Sequence, residues 1–281
     1  MIGSLDTTPL TSGNFQFICD LVRRDAAIVI EKGKEYLVET RLAPVAMREG
    51  LASVNALVDV IRAVGNGNPG LTSSVIDALT TNETLFFRDL NPFDALRDHL
   101  IPKFRAANPA TPLSIWSAAS SSGQEAYSIA MLLNESFPGQ PARILGTDIS
   151  NHIVKRAVAG RYDQLEVNRG LPAKLLVKYF RQETGGWLLD ERIRRQVDFR
   201  TMNLAGNWPL LPRFHVVFLR NVMIYFDLET RRRILRKVRD TLIPGGYLVL
   251  GSAETTVMVD PGYVPVSVGK ATFYQAAAQK T

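Results

Sequence analysis

Apolar residues along this chain follow two rhythms. Up to about residue 105 they recur three and four positions apart, and beyond about residue 110 short continuous apolar runs alternate with helical stripes. In the first stretch, Phe15, Ile18, Cys19, Val22, Ala26 and Val29 predict a helix over Phe15–Ile30. Further helices are predicted over Glu35–Arg48 and Val54–Val64, with Ser53 placed to cap the last. Residues 1–13 read as a tail, and no strong strand pattern occurs before residue 65. The reading is a small all-helical domain. Gly65–Gly70, G-N-G-N-P-G, matches the dinucleotide pattern G-x-G-x-x-G by letters. It follows a helix rather than a strand and contains Pro69, so it reads as an interdomain linker. The expected division is therefore residues 1–70, helical domain and linker, and residues 71–281, a larger α/β domain.

Leu113–Leu133, L-S-I-W-S-A-A-S-S-S-G-Q-E-A-Y-S-I-A-M-L-L, organises the second stretch. A buried strand at Leu113–Trp116 runs into small residues, Ala118–Gly123, and then a helical stripe of Ala126, Ile129, Ala130 and Leu133. Strand, small-residue turn and helix open a doubly wound α/β domain, where a ligand can approach the backbone and the helix N-terminus offers free N–H groups. An ordinary βα turn has the same pattern. Arg143–Asp148 predicts a second strand ending in an acid. Asp148 either caps the helix from Asn151 to Ala159 or accepts hydrogen bonds from ribose hydroxyls. Its 25-position distance from Gly123 favours the ribose.

From about residue 160 to 200 the βα rhythm breaks. A helix is expected near Pro172–Tyr179, and Gly185-Gly186 between alternating runs predicts a small antiparallel hairpin insertion. Strands resume at Val197–Thr201 and Phe214–Leu219, followed by a helix over Asp227–Leu242 and a strand at Tyr247–Leu250. Val264–Val268 and Ala271–Gln275 flank Gly269-Lys270, a two-residue hairpin signal. Leu71–Leu79 and Phe93–Phe104 read as helices. The stretch between them, T-T-N-E-T-L-F-F-R-D-L, is either a capped helix start or a cover over a ligand with its polar groups inward.

Composition narrows the picture. The chain has 281 residues with 46% hydrophobic, enough for a sizeable core. No apolar run reaches membrane-spanning length and the start lacks a signal-peptide pattern, so a soluble cytoplasmic protein is expected. A single cysteine, Cys19, rules out an internal disulfide and a multi-cysteine metal site; it is expected in the core, and no metal is expected. His99, His152 and His215 share no spacing and read as structural. The net charge of +6 favours nucleic acid, anionic lipid or an acidic protein surface without choosing among them. Arg23, Arg24, Lys32, Lys34, Arg41 and Arg48 form either a solvated face or a docking surface for an acidic helical partner. The basic residues of the Asp227–Leu242 helix read as its solvated face. Asn91-Pro92-Phe93 falls short of the N-P-P-[FY] motif of DNA amino-methyltransferases, which weakens a nucleic-acid reading.

Several stretches agree on one family. Residues 80–88 (T-T-N-E-T-L-F-F-R), 116–129, 145–149 (L-G-T-D-I), 202–204 (M-N-L), 219–227 (L-R-N-V-M-I-Y-F-D) and 243–254 resemble the chemotaxis receptor methyltransferases, CheR, as does K-x-Y-L-V-x-x-R-L at 34–42. The resemblance implies a Rossmann-like, doubly wound methyltransferase sheet with an antiparallel C-terminal hairpin, an N-terminal all-helical domain and a small antiparallel β-subdomain. It implies transfer of a methyl group from S-adenosylmethionine to glutamates on the cytoplasmic helices of chemoreceptors. A monomer is expected because no extra apolar helix is left over, with neither membrane insertion nor nucleic acid as a partner. Cofactor contacts are implied for Asn82, Thr84, Arg88, Glu125, Asp148, Asn203, Leu204, Asn221 and Val222. Arg88 and Tyr225 are the implied catalytic residues, Tyr225 close to the transferred methyl. The central motif departs from many members, with Ser120 for Cys and Gln124-Glu125-Ala126 for E-E-P. Some members capture a receptor's C-terminal pentapeptide through a longer glycine-containing loop. Here only Glu183–Trp187 (E-T-G-G-W) fills that position, which implies independence from the tether.

Overall fold

A computed structural model describes residues 8–64, 68–109 and 111–277. They form two compact units, residues 1–81 with 225–227, and residues 82–224 with 228–281. In the first unit, α1 (Ser12–Ala26), α2 (Glu35–Arg48), α3 (Val54–Val64) and α4 (Pro69–Leu79) bury Ile18, Val22, Val38, Leu42, Leu57, Val58 and Val75. The Ser53 hydroxyl accepts the Ala56 N–H at 3.1 Å, so the expected cap of α3 is present. α1 starts before Phe15 and stops four residues short of Ile30. Thr11 caps its start, and Ala27 turns left-handed at φ 58°, releasing Ile28 to bridge Phe226. Cys19 is half-buried rather than core, and desolvation raises its thiol pKa. Residues 65–67 of the expected linker lie outside the described residues. Its remainder starts α4, with Asn68 as cap and Pro69 in the first turn, where a missing N–H costs nothing. Leu71, Val75 and Leu79 are buried, and the first unit runs on to Thr81.

The second unit opens at Asn82 without a helix over residues 82–88. α5 (Asn91–Ala95) and α6 (Ile101–Ala107) are joined by a π-turn over Leu96–Leu100, just before Pro102, which has no N–H to give. Then follow β1 (Leu113–Ala118), α7 (Gln124–Ser136), β2 (Ala142–Asp148), α8 (Asn151–Ala159), β3 (Arg161–Tyr162), α9 (Gln164–Asn168), α10 (Ala173–Tyr179), β4 (Phe180–Glu183), β5 (Gly186–Leu189), α11 (Glu191–Arg194), β6 (Val197–Thr201), β7 (Phe214–Leu219), α12 (Leu228–Thr241), β8 (Leu242–Leu250), β9 (Tyr263–Val268) and β10 (Ala271–Ala276).

The large sheet has the order β6-β2-β1-β7-β8-β10-β9. Its first five strands are parallel, and β10 pairs antiparallel with both β8 and β9. β1 sits between β2 and β7, so the chain winds outward in both directions from it, and ligands of such sheets bind at the carboxyl ends of the strands flanking that point. β1 is buried along its whole length, as a parallel strand covered on both faces should be. β3, β5 and β4 form the second, antiparallel sheet. Its hairpin turns in two residues, Thr184-Gly185. Gly186 has no room for a side chain, since a Cβ there would lie 2.4 Å from the Tyr162 carbonyl oxygen. Among the described residues no helix is long and apolar enough to cross a membrane, and no group of three or more His, Cys, Asp or Glu could hold a metal ion.

Candidate functional site at the carboxyl ends of the parallel strands

The turn after β1 is tightly wound. Ala119 and Ser121 hold left-handed backbones at φ 54° and 49°, and Gly123 takes φ 92° at the head of α7. A Cβ on Gly123 would fall 2.9 Å from the Phe199 ring, so this position requires glycine. Non-glycine residues stay in such conformations only where their surroundings over-determine them. Here they do. The Ser121 N–H donates to Asp148 Oδ2 at 2.9 Å, its hydroxyl donates to the Asn82 carbonyl at 2.8 Å, and the Ser120 N–H donates to the Thr147 carbonyl at 2.8 Å.

Asp148, at the end of β2, does not cap α8. Ser150 does, accepting the Ile153 N–H, while Asp148 Oδ1 accepts the Ser150 N–H at 3.1 Å. The Asp148 carbonyl accepts the Met202 N–H at 2.7 Å, which places Asn203 and Leu204 just beyond that carboxylate. Asn203 Oδ1 accepts the Ala205 N–H at 2.9 Å, and Leu204 is buried.

Glu125, in the first turn of α7, points one carboxylate oxygen at the Ser117 hydroxyl, 2.7 Å away, and the other at Arg220 Nη1, 3.0 Å away. Asn82 and Thr84 are half-buried in the segment before Phe86 and Phe87. Phe86 stands edge-on to Tyr162 and Phe180, with centroids 5.0 and 5.6 Å away. The Phe87 N–H donates to the Ser128 hydroxyl on α7 at 2.9 Å. The segment is thus tied down on both sides, while the half-buried Arg88 guanidinium meets no hydrogen-bond partner among the described residues. Asn221, left-handed at φ 57°, and Val222 follow β7.

Nine of the ten expected site residues thus lie at the carboxyl ends of β1, β2, β6 and β7 or in the segment pinned against them. The tenth, Tyr225, is grouped with the first unit. It closes the short 3-10 turn Met223–Tyr225, and its carbonyl accepts the Val29 N–H at 3.0 Å within the first unit.

Three residues of the crevice escaped the sequence reading. Arg220 directly follows β7, almost wholly buried, and bonds Glu125, Asp89 and the Arg88 carbonyl. Asp89 is its second carboxylate partner. Glu254, just beyond β8, accepts the N–H groups of Asn221, Met223 and Gly251 at 2.7, 2.7 and 2.8 Å. The signal for Arg220 was a cation directly after an apolar strand, because buried arginines are rare unless paired.

The donor set fits a nucleoside carrying an amino-acid tail. Asp148 stands at the end of β2, where an acid suits ribose hydroxyls, and Glu125, with two of a carboxylate's roughly four acceptor sites taken by Ser117 and Arg220, keeps capacity for an ammonium group. The buried Ser120 hydroxyl has no partner among the described residues, and a Cβ on Gly146 would crowd it at 3.2 Å.

Comparison with known proteins gives the same answer from a separate direction. The family model for the CheR methyltransferase SAM-binding domain matches residues 82–268, and that for the CheR methyltransferase all-alpha domain matches residues 13–80. The chain is 39% identical to chemotaxis protein methyltransferase Cher2 of Pseudomonas putida, over 95% of this chain and all of the relative. It is 38% identical to chemotaxis protein methyltransferase 1 of Pseudomonas aeruginosa, over 94% and 98% of the two chains. With a chemotaxis protein methyltransferase of Vibrio parahaemolyticus it shares 42%, over 81% and 84%. Each unit therefore has its own counterpart, and the chain belongs to the CheR methyltransferase family, an all-helical domain followed by one that binds S-adenosylmethionine.

Proposed function

We propose that this protein methylates glutamate side chains on the cytoplasmic helices of chemoreceptors, forming methyl esters and leaving S-adenosylhomocysteine. The observation that carries the reading is the pair of buried-edge carboxylates, Asp148 and Glu125, on either side of the β1 turn at the switch point of the sheet. The chemotaxis names of the relatives support the choice of acceptor.

When bound, S-adenosylmethionine supplies a methyl carbon on a positively charged sulfur. Asp148 would take the ribose hydroxyls and Glu125 the amino group. Asn203 and Leu204 would border the adenine, with Asn82, Thr84, Asn221 and Val222 along the rest. An acceptor glutamate, with a pKa of about 4.3, is already ionised at neutral pH, so no general base is needed. The bound cofactor would supply the methyl group, its sulfur keeping the electron pair of the broken bond, and the acceptor oxygen needs only to be held in line with it. What the chain must supply is alignment. The unpartnered Arg88 guanidinium would orient the acceptor or the cofactor, a geometry suited to carboxylates, and Tyr225 would stand beside the methyl group.

The two-residue hairpin turn supports a receptor interaction that does not depend on a C-terminal pentapeptide, and micromolar binding of Asn-Trp-Glu-Thr-Phe would overturn that part. The protein is expected to act as a cytoplasmic monomer. Transfer of tritium from labelled S-adenosylmethionine to receptor-enriched membranes, released by mild base as methanol, tests the reading. Label that stays base-stable, or that goes to nucleic acid, contradicts it.

A further inference from the structure

Arg220 is the most constrained charged side chain of the crevice. It is 3% exposed and sits between Glu125, 13% exposed, and Asp89, 45% exposed. Nη1 donates to Glu125 Oε2 at 3.0 Å. Nη2 donates to Asp89 Oδ2 at 2.7 Å and to the Arg88 carbonyl at 2.8 Å. The guanidinium carbon lies 5.9 Å from the centre of the Phe93 ring, and Nε is buried without a partner among the described residues.

A side chain chosen only to satisfy itself would not leave a buried donor unmade, since that costs free energy. The three acceptors it does reach lie on two segments far apart in sequence, the start of α7 and the turn after Phe87. That turn holds Phe87 and Asp89 left-handed at φ 49° and 53°, and Asn221, next to Arg220, is left-handed at φ 57°. Strained backbone on both sides of one buried fork is what a clamp between two segments requires.

We propose that Arg220 is a positioning residue. It turns the Glu125 carboxylate toward the amino group of the bound cofactor and, through the Arg88 carbonyl, fixes where the Arg88 side chain starts. The proposal rests on the reading of Glu125 as the amino-group contact. Asp89, the more exposed acid, balances the fork from the far side and leaves the second Glu125 oxygen to Ser117.

The test is titration calorimetry of S-adenosylhomocysteine with the full chain, as wild type, Glu125→Gln, Arg220→Met, Arg220→Lys and the Glu125→Gln/Arg220→Met double variant. Glu125→Gln and Arg220→Met are each expected to weaken binding about tenfold or more, and the double variant no more than about twofold beyond Glu125→Gln, because groups in direct contact are not additive. Arg220→Lys, which restores the charge but not the fork, should fall between wild type and Arg220→Met. With receptor membranes, Arg220→Met should also lower kcat at saturating S-adenosylmethionine, whereas Arg220→Lys regains part of it. Wild-type binding by Arg220→Met, full additivity in the double variant, or no rescue by lysine would each overturn the proposal. Unchanged binding by Glu125→Gln, with weakened Arg220→Met, would overturn the Glu125 reading and the coupling through it. If thermal melts show Arg220→Met unfolded, Arg220→Lys with and without Glu125→Gln completes the same cycle, with additivity as the contradicting result.

Discussion

The two ends of the parallel strands are built from different materials. At the carboxyl end, β1 and β7 run into left-handed turns held by carboxylates, Asp148 on Ser121 and Glu254 on Asn221, Met223 and Gly251, and after β2 Asp148 also takes the Ser150 N–H. Toward the amino end, β1, β7 and β8 are packed by rings. Phe214 packs 5.4 Å from Trp116, Phe104 stands edge-on to His215 at 4.8 Å and to Tyr247 at 6.1 Å, and Lys103 donates to the Tyr247 hydroxyl at 2.8 Å. Charged groups buried beside strained backbone contribute little net stability and persist where they position something. Packed rings contribute stability and ask for no ligand. Substitutions at one end should therefore damage binding and turnover, and at the other end, stability alone.

The largest effect is expected at Asp148. Asp148→Ala removes the expected ribose acceptor and the anchor of the β1 turn. Binding of S-adenosylhomocysteine should weaken about a hundredfold or more, on the order of 3 kcal/mol for charge-assisted hydrogen bonds, and near-wild-type affinity by calorimetry would break the comparison. Arg88→Ala comes next. Its unpartnered guanidinium predicts a loss of turnover of about 30-fold with an unchanged melting temperature, and a fully active variant removes Arg88 from the mechanism. Glu254→Gln sharpens the carboxyl-end account. Its amide oxygen can replace Oε2 toward Asn221 and Gly251, but its NH₂ then faces the Met223 N–H. A loss of about 1–3 kcal/mol, with a several-fold fall in kcat/KM, is expected in denaturation and methylation assays.

At the amino end, Phe214→Leu should cost about 1–2 kcal/mol of stability and leave affinity for S-adenosylhomocysteine unchanged. The smallest effect concerns pH. Burial pushes the His215 imidazole below its ordinary pKa, and Nδ1, which accepts the Ser114 N–H at 3.1 Å, must be unprotonated to do so. The unfolded chain takes up this proton first. The contribution is therefore complete above the unfolded value of about 6.5 and is lost as pH falls through it toward the lower folded value. Between pH 7.5 and 5.5 the wild-type melting temperature should fall more than that of His215→Gln, and parallel curves would contradict this.

Local pattern made much of the molecule legible. The strand–turn–helix at Leu113–Leu133, the hairpins at Gly185-Gly186 and Gly269-Lys270, and the acid ending β2 all depend on residues close together in the chain, where spacing and turn chemistry decide. The features that escaped depend on distant partners. Arg220 meets Asp89 from 131 positions away, and Glu254 meets Asn221 from 33, so neither bond leaves a local signature. α1 stops at Ala26 because Ala27 leaves the helix and Ile28 bridges Phe226, against a stripe that would continue to Val29. Asp148 was legible as an acid in the right place. Its choice between cap and ligand was not, because that depended on Ser150 taking the cap.

A crystal structure of the protein grown with S-adenosylhomocysteine tests the central claim most directly. The account predicts ribose hydroxyls within about 3 Å of the Asp148 carboxylate and the amino group at a similar distance from Glu125, with Arg220 still gripping Glu125 and the Arg88 carbonyl. A ligand seated away from the β1 turn, or reaching the turn without touching either carboxylate, would contradict it.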